Sequence, residues 1–276
     1  MSKIIDSMAP TPETACPACI VCGGDTVRQI SKEYCEREVS YFRCLHCGHL
    51  TAGDIGRVPD YDREKYFAEI DTGCRERNRR ILEFVRILSR LPGVNLARKD
   101  VVLDYGCGTG RLVNDLNATG FNAYGFEPSQ GLLQAPGRIM NDWQEVRRVI
   151  GRANLVTCIE VLEHVRNPDD LLNRVSELLS SDGYFLISTE TYNNRKHGDA
   201  WYYLNPAAGH VSIFTEKSLG GLMSRHGLSS ILRISGLVWL FRLVAQRKRT
   251  WLESGYFFAS QSRIKLGIKL GAGLQI

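Results

Sequence analysis

Nowhere in the 276 residues is there an apolar run of the roughly 18–20 positions that a membrane-spanning helix needs. The nearest stretch, GLVWLFRLVA at 236–245, is too short and carries Arg242. The opening MSKIIDSMAPTPETACP contains acids and prolines but no apolar core, so it does not read as a secretory leader. A cytoplasmic location is therefore expected, with thiols kept reduced or metal-bound rather than paired as disulfides. No internal repeat or low-complexity tract stands out. The charge excess is small: 35 basic against 30 acidic side chains gives +5, which permits an anionic partner without demanding one.

What is present begins with cysteine. Six of the nine fall between residues 16 and 50. CPACIVCGG and CLHCGHL set Cys19-x2-Cys22 and Cys44-x2-Cys47 about twenty residues apart, each pair followed by glycine. This is a ribbon-type zinc spacing: each C-x-x-C-G turn brings two thiolates to one ion, and the glycine takes the left-handed kink. Cys16 stands three residues before Cys19 and leaves the ligand choice open at that end. Cys22 is preferred because, like Cys47, it is trailed by glycine. Four thiolates close a tetrahedron, so the metal is expected to fold a small lobe rather than to do chemistry. His46 and His49 are not expected as ligands.

From residue 100 onward strand and helix signals alternate. VVLDYG, NAYGFEP, ANLVTCIEV (153–161) and GYFLIST (183–189) read as buried strands. RLVNDLNATG reads as a helix stopped by Gly120, and NPDDLLNRVSELLSSDG as a helix with Asn167 at its cap and Pro168 in its first turn. A further helix is expected over RERNRRILEFVRILSRL, stopped by PGVN. Such alternation predicts a parallel, doubly wound α/β sheet.

Between the first strand and its helix lies D-Y-G-C-G-T-G, Asp104 to Gly110. Glycines there let the backbone turn tightly and let a ligand approach, with helix amides facing it. The spacing is G-x-G-x-G, not the dinucleotide G-x-G-x-x-G. Glu127 ends the next strand, where a carboxylate can accept both hydroxyls of a ribose. With LDYGCGTGRL, GFEPS, LVTCIEVLEHVRNPDDLL and SDGYFLIST in this order, the chain resembles the class I S-adenosylmethionine-dependent methyltransferases of the small-molecule type over roughly residues 62–240. The lobe at the N-terminus is similar to that of zinc-containing methyltransferases acting on sugars and other metabolites.

The resemblance implies a mostly parallel, seven-stranded Rossmann-like sheet. It implies Asp104, Gly106, Cys107, Gly108 and Gly110 around the methionine part and ribose, Glu127 followed by Pro128 on the ribose diol, Asp142 and Trp143 near the adenine, and Ile159 with Glu160 below the fourth strand. The helix after the second strand is shortened to SQGLLQ, a departure that bears on Asp142 and Trp143. The expected division is a disordered tail (1–15), a zinc-binding lobe (16–60), a methyltransferase domain (61–245) with a lid insert at 190–210, and a basic C-terminal extension (246–276). The extension reads as a packed helix or homodimer contact, or as an amphipathic surface for a membrane or anionic chain. Tyr61, Tyr66 and Phe67 either close over the cofactor or cover the sheet edge.

Methyl transfer to a hydroxyl needs a proton acceptor, and histidine suits that task. His164, three residues past the fourth strand, and His210, beyond the insert, are the catalytic candidates; each otherwise anchors its loop. Glu190, Tyr192 and His210 are the candidate substrate residues. Expected function is methylation of a hydroxyl or activated carbon of a small metabolite, a sugar or natural-product intermediate. RNA methylation is the first alternative. Against it, the lobe offers only Arg28, Lys32, Arg37 and Arg43 against four acids, not the basic stripe that RNA readers show. A non-catalytic zinc-ribbon scaffold is the second.

Overall fold

The computed structural model describes residues 16–56, 73–129, 137–234 and 237–244. The expected tail, the aromatic linker with Tyr61, Tyr66 and Phe67, most of the SQGLLQ segment and the basic extension lie outside these residues.

The described chain opens with a hairpin of β1 (Thr26–Tyr34) and β2 (Arg37–Cys44), then β3 (Leu50–Ala52) and α1 (Cys74–Leu88). There follow β4 (Val101–Tyr105), α2 (Arg111–Ala118), β5 (Asn122–Phe126), β6 (Ile139–Met140), α3 (Trp143–Ile150), β7 (Ala153–Ile159), α4 (Pro168–Leu178) and β8 (Leu179–Ser188). The last elements are β9 (Ser212–Ile213), α5 (Glu216–Arg225), β10 (Leu228–Ile234) and β11 (Val238–Leu243).

Seven strands form one sheet in the order β10-β11-β8-β7-β4-β5-β6. Within it β6, β5, β4, β7 and β8 run parallel, and β11 runs antiparallel to both of its neighbours. This is the doubly wound sheet that the sequence predicts. The central strands read as unbroken apolar runs because both faces are covered. Leu103, Val156 and Phe185 pack under α3, α4 and α5 on one face, while Val102, Leu155 and Leu186 pack under α1 and α2 on the other. Connections leave β4 and β7 in opposite directions, so a crevice opens at their carboxyl ends.

One boundary differs from the sequence reading. The helix expected to continue through Ser180–Gly183 stops at Leu178, and β8 begins at Leu179 rather than at Gly183. Leu179 is fully buried opposite Ala153, and a register shift beyond that pair absorbs the extra residues.

A second, antiparallel sheet has the order β1-β2-β3-β9. Its last strand comes not from the N-terminal lobe but from beyond the 190–210 insert, through Leu50 opposite Ile213 and Thr51 opposite Ser212. The insert lays Tyr203 and Leu204 onto Ile30, Val39, Tyr41 and Leu50 of this sheet in one buried cluster. Tyr41 further donates to the His210 carbonyl at 2.8 Å.

Candidate active site and thiolate cluster

The glycine loop leaves β4 through three residues with positive φ: Gly106 at +74°, Gly108 at +52° and Gly110 at +75°. At Gly106 a Cβ would stand 2.5 Å from a methyl of Val161, so the loop and the β7 exit meet at van der Waals contact. Gly106 N and Cys107 N donate to the Phe126 carbonyl at 2.8 and 3.2 Å. Cys107 Sγ fills the space that glycine leaves at Gly125, where a Cβ would lie 2.5 Å from the sulfur. Its thiol therefore packs inward, and its backbone belongs to the loop.

Glu127 spans the crevice mouth. One carboxylate oxygen accepts from Gly108 N at 2.9 Å, and the other accepts from Ser129 N at 3.1 Å and Ser129 Oγ at 2.5 Å, with Pro128 between them. Asp104, 4% exposed, accepts from Thr157 Oγ at 2.6 Å across the β4–β7 junction. Burial pushes its carboxyl up to about 7 despite that hydrogen bond.

At the end of β6, Asp142 caps α3 by accepting from Gln144 N at 3.0 Å. Trp143 is wedged against Phe126 and Tyr105, with ring centroids 5.3 and 5.7 Å away, and the Arg174 guanidinium lies 5.6 Å over its ring. Both residues thus stand beside the Glu127 strand end with their own structural partners.

Past Ile159, the last residue of β7, Glu160 adopts φ +54°, which a non-glycine residue rarely takes. Its amide donates to the Ser188 carbonyl at 2.9 Å, and its carboxylate accepts from Ser188 Oγ and, at 3.3 Å, from Tyr203 Oη. A single 3₁₀ turn over Leu162–His164 follows. It brings Glu163 and His164 together with His210, with one donor atom from each within 4.8 Å of the others. The ring centroids of the two histidines are 5.0 Å apart. Burial drives His164 down to about 3 and His210 below its ordinary value. Burial also holds the Glu163 carboxyl well above the usual carboxylate range, with Glu160 adding to the effect.

The substrate candidates separate. Glu190 accepts from Tyr202 Oη at the surface of the insert. Tyr192, 5% exposed, is packed into the lobe cluster beside Trp201, its amide bonded to the Phe214 carbonyl at 2.7 Å. His210 alone joins the group near the crevice. Sequence reading passed over Glu163; an acid beside His164 in the otherwise apolar exit of β7 was the available signal.

In the lobe, the sulfurs of Cys19, Cys22, Cys44 and Cys47 all lie within 4.8 Å of one another, with Cys19–Cys47 at 3.6 Å and Cys22–Cys44 at 3.5 Å. Four sulfurs about 2.3 Å from one tetrahedral ion would be separated by similar distances, so the cluster fits zinc. Val21 N, His46 N and Cys47 N point at the sulfurs from 3.4 Å, and Gly23 and Gly48 take φ of +70° and +76°. Cys16 is exposed and outside the group. His46 and His49 also lie outside the group, His49 fully buried with its ring 4.8 Å from that of Phe214.

A family model described as a methyltransferase domain matches residues 75–232, more than half of the chain. Among curated proteins, the ubiquinone biosynthesis O-methyltransferase of Dechloromonas aromatica (strain RCB) is 29% identical over 118 residues, covering 38% of this chain and 50% of the relative. Its namesake from Chromobacterium violaceum is 28% identical over 155 residues, covering 49% and 67%. The matched stretch thus spans about half the length of the first of these relatives. Among solved structures, a chain from the complex between the Haloferax volcanii Trm112 methyltransferase activator and a methyltransferase superposes with a TM-score of 0.50 at 16% identity, over 68% of this chain and 100% of that one. That likeness is one of fold. The sheet order, the glycine loop with its answering carboxylate and the family match agree, and the chain belongs to the methyltransferase-domain family with the class I, S-adenosylmethionine-dependent architecture.

Proposed function

We propose that this protein moves a methyl group from S-adenosylmethionine to a hydroxyl, or an activated carbon, of a small metabolite such as a sugar or natural-product intermediate. The observation that carries this reading is Glu127 held at 2.9 Å from Gly108 N, a carboxylate set over the glycine loop where a ribose diol would lie. Asp104 fits the same ligand. A buried carboxyl raised to about 7, with a hydroxyl as its hydrogen-bond donor, gains from a nearby cation, and this donor carries both an ammonium and a sulfonium.

When bound, the sulfonium supplies an electrophilic methyl and a neutral leaving group. The protein's part is alignment, exclusion of water and handling of the acceptor's proton. Val161 closes the loop from the β7 side, and Glu160, fixed by Ser188 and Tyr203, shapes the floor. His164 and His210 stand uncharged at neutral pH, so each can offer a lone pair to an acceptor or to whatever holds it. The four-thiolate cluster would hold a structural zinc, with no position left for substrate. Isothermal titration with S-adenosylhomocysteine tests the reading: binding by the full chain supports it, and no binding at millimolar ligand refutes it.

A further inference from the structure

We propose that the cavity between the thiolate lobe, the start of the insert and the cap of α5 binds the phosphoryl group of a small phosphate monoester. This goes beyond the methyltransferase reading and does not depend on it.

The cavity holds about 450 Å³, within the range of small-molecule sites. Three stretches of chain that are distant in sequence set Arg43 of β2, Arg195 of the insert and Lys217 of α5 around this one space. Its walls are tied to each other. The Tyr192 amide donates to the Phe214 carbonyl at 2.7 Å, and Thr215 Oγ donates to the Cys47 carbonyl at 2.7 Å. The cavity is therefore already shaped before a ligand enters.

The positive charge gathered there is unanswered. Arg43 Nε is buried with no hydrogen-bond partner, and neither Arg43 nor Arg195 is ion-paired among the described residues. Lys217 Nζ donates to the His46 carbonyl at 2.5 Å, a neutral partner that fixes the ammonium without cancelling its charge. The acid that lines the cavity, Glu216, is engaged by Arg233 of β10 at 2.5 Å. Like charges held together in this way repel, and an anion between them reverses the sign of the interaction.

The donors fit phosphate better than carboxylate. A phosphate monoester carries about −1.5 to −2 charge near neutrality and three acceptor oxygens, against one charge and two oxygens. A guanidinium can grip two of those oxygens, and an ammonium serves as a point charge. The spare volume argues for an ester over the bare ion: at about 30 Å³ per water the cavity has room for about fifteen. Leu45, 60% exposed, and the Tyr192 ring offer apolar surface to the organic part.

Isothermal titration of the full chain with glycerol 3-phosphate and, separately, with inorganic phosphate tests the site. One equivalent of each should bind, the ester at least as tightly as the ion. Arg195→Ala and Lys217→Gln should each weaken both by tenfold or more, while Arg28→Ala, at a lobe arginine that does not line the cavity, changes them less than twofold. Saturating S-adenosylhomocysteine should leave both within twofold, because no glycine-loop residue lines the cavity. Absence of binding at millimolar ligand, equal weakening by Arg28→Ala, or displacement by S-adenosylhomocysteine overturns the proposal. So does binding of the ion with the ester excluded. Arg195 is exposed, so Arg195→Ala decides the matter even where Lys217→Gln fails to fold. A chain that binds the ester but not S-adenosylhomocysteine would sink the methyltransferase reading and leave this site standing.

Discussion

Thr215 Oγ donates to the Cys47 carbonyl at 2.7 Å and accepts from Ser218 N at 3.1 Å, so the second thiolate turn is tied directly to the cap of α5. Lys217 reinforces the tie through the His46 carbonyl at 2.5 Å, and the Arg225 guanidinium reaches the Val21 carbonyl. A change in the thiolate cluster is therefore felt in the methyltransferase domain. Cys44→Ser is expected to lower zinc content from one per chain toward none and to destabilise the protein by about 3–5 kcal/mol, read from denaturant unfolding. An unchanged midpoint with zinc retained would contradict the assignment.

Glu127→Gln keeps the shape of the side chain but removes its charge. Hydrogen bonds to charged groups contribute about 1.5–3 kcal/mol, so S-adenosylhomocysteine affinity should fall by about 10- to 150-fold in calorimetry. Folding stability should fall by about 1–3 kcal/mol as well, because Gly108 and Ser129 donate to different carboxylate oxygens and the amide keeps only one acceptor for them.

Asp104 predicts proton linkage. Its carboxyl is held up to about 7 in the folded chain, while an unfolded aspartate titrates near 3.8. The folded state therefore binds more protons between these values, and stability falls as pH rises through that window, levelling off above about 8. A cationic ligand favours the carboxylate, so binding at pH 6 should release a proton and binding at pH 8.5 should not. Calorimetry in buffers of different ionisation enthalpy reads this directly. Asp104→Asn should abolish both the release and the stability slope.

Gly106→Ala places a methyl 2.5 Å from Val161 on a backbone at φ +74°. Strain of about 1–3 kcal/mol from the backbone alone is expected, together with loss of ligand affinity. Pairing it with Val161→Ala should recover part of the stability, because the clash is removed and the φ strain is not. Full recovery would show that the backbone conformation carries no strain.

The sheet was legible because buried parallel strands announce themselves as apolar runs, and Asp104, the glycines and Glu127 follow those runs at strand ends. The lobe's strands were not. The hairpin turns at Cys35 and Glu36, with φ of +50° and +59°, positions where the usual signal is Asn-Gly. β9 is two residues long, and its partner β3 lies some 160 positions earlier, a pairing that no local pattern reports. Glu163 was missed for a related reason: its burial depends on His210 and the insert, which fold back from more than forty residues away.

The pairing of β3 with β9 bears on how the molecule is made. The lobe leaves the ribosome before the central strands, yet β3 lacks its outer partner until residue 213 has been synthesised. By then β4 through β8 are already available to form the central sheet. During that interval an unpaired strand edge is open, and such edges attract other chains. Metal capture by the four early cysteines would shield the nascent lobe until its distant strand arrives.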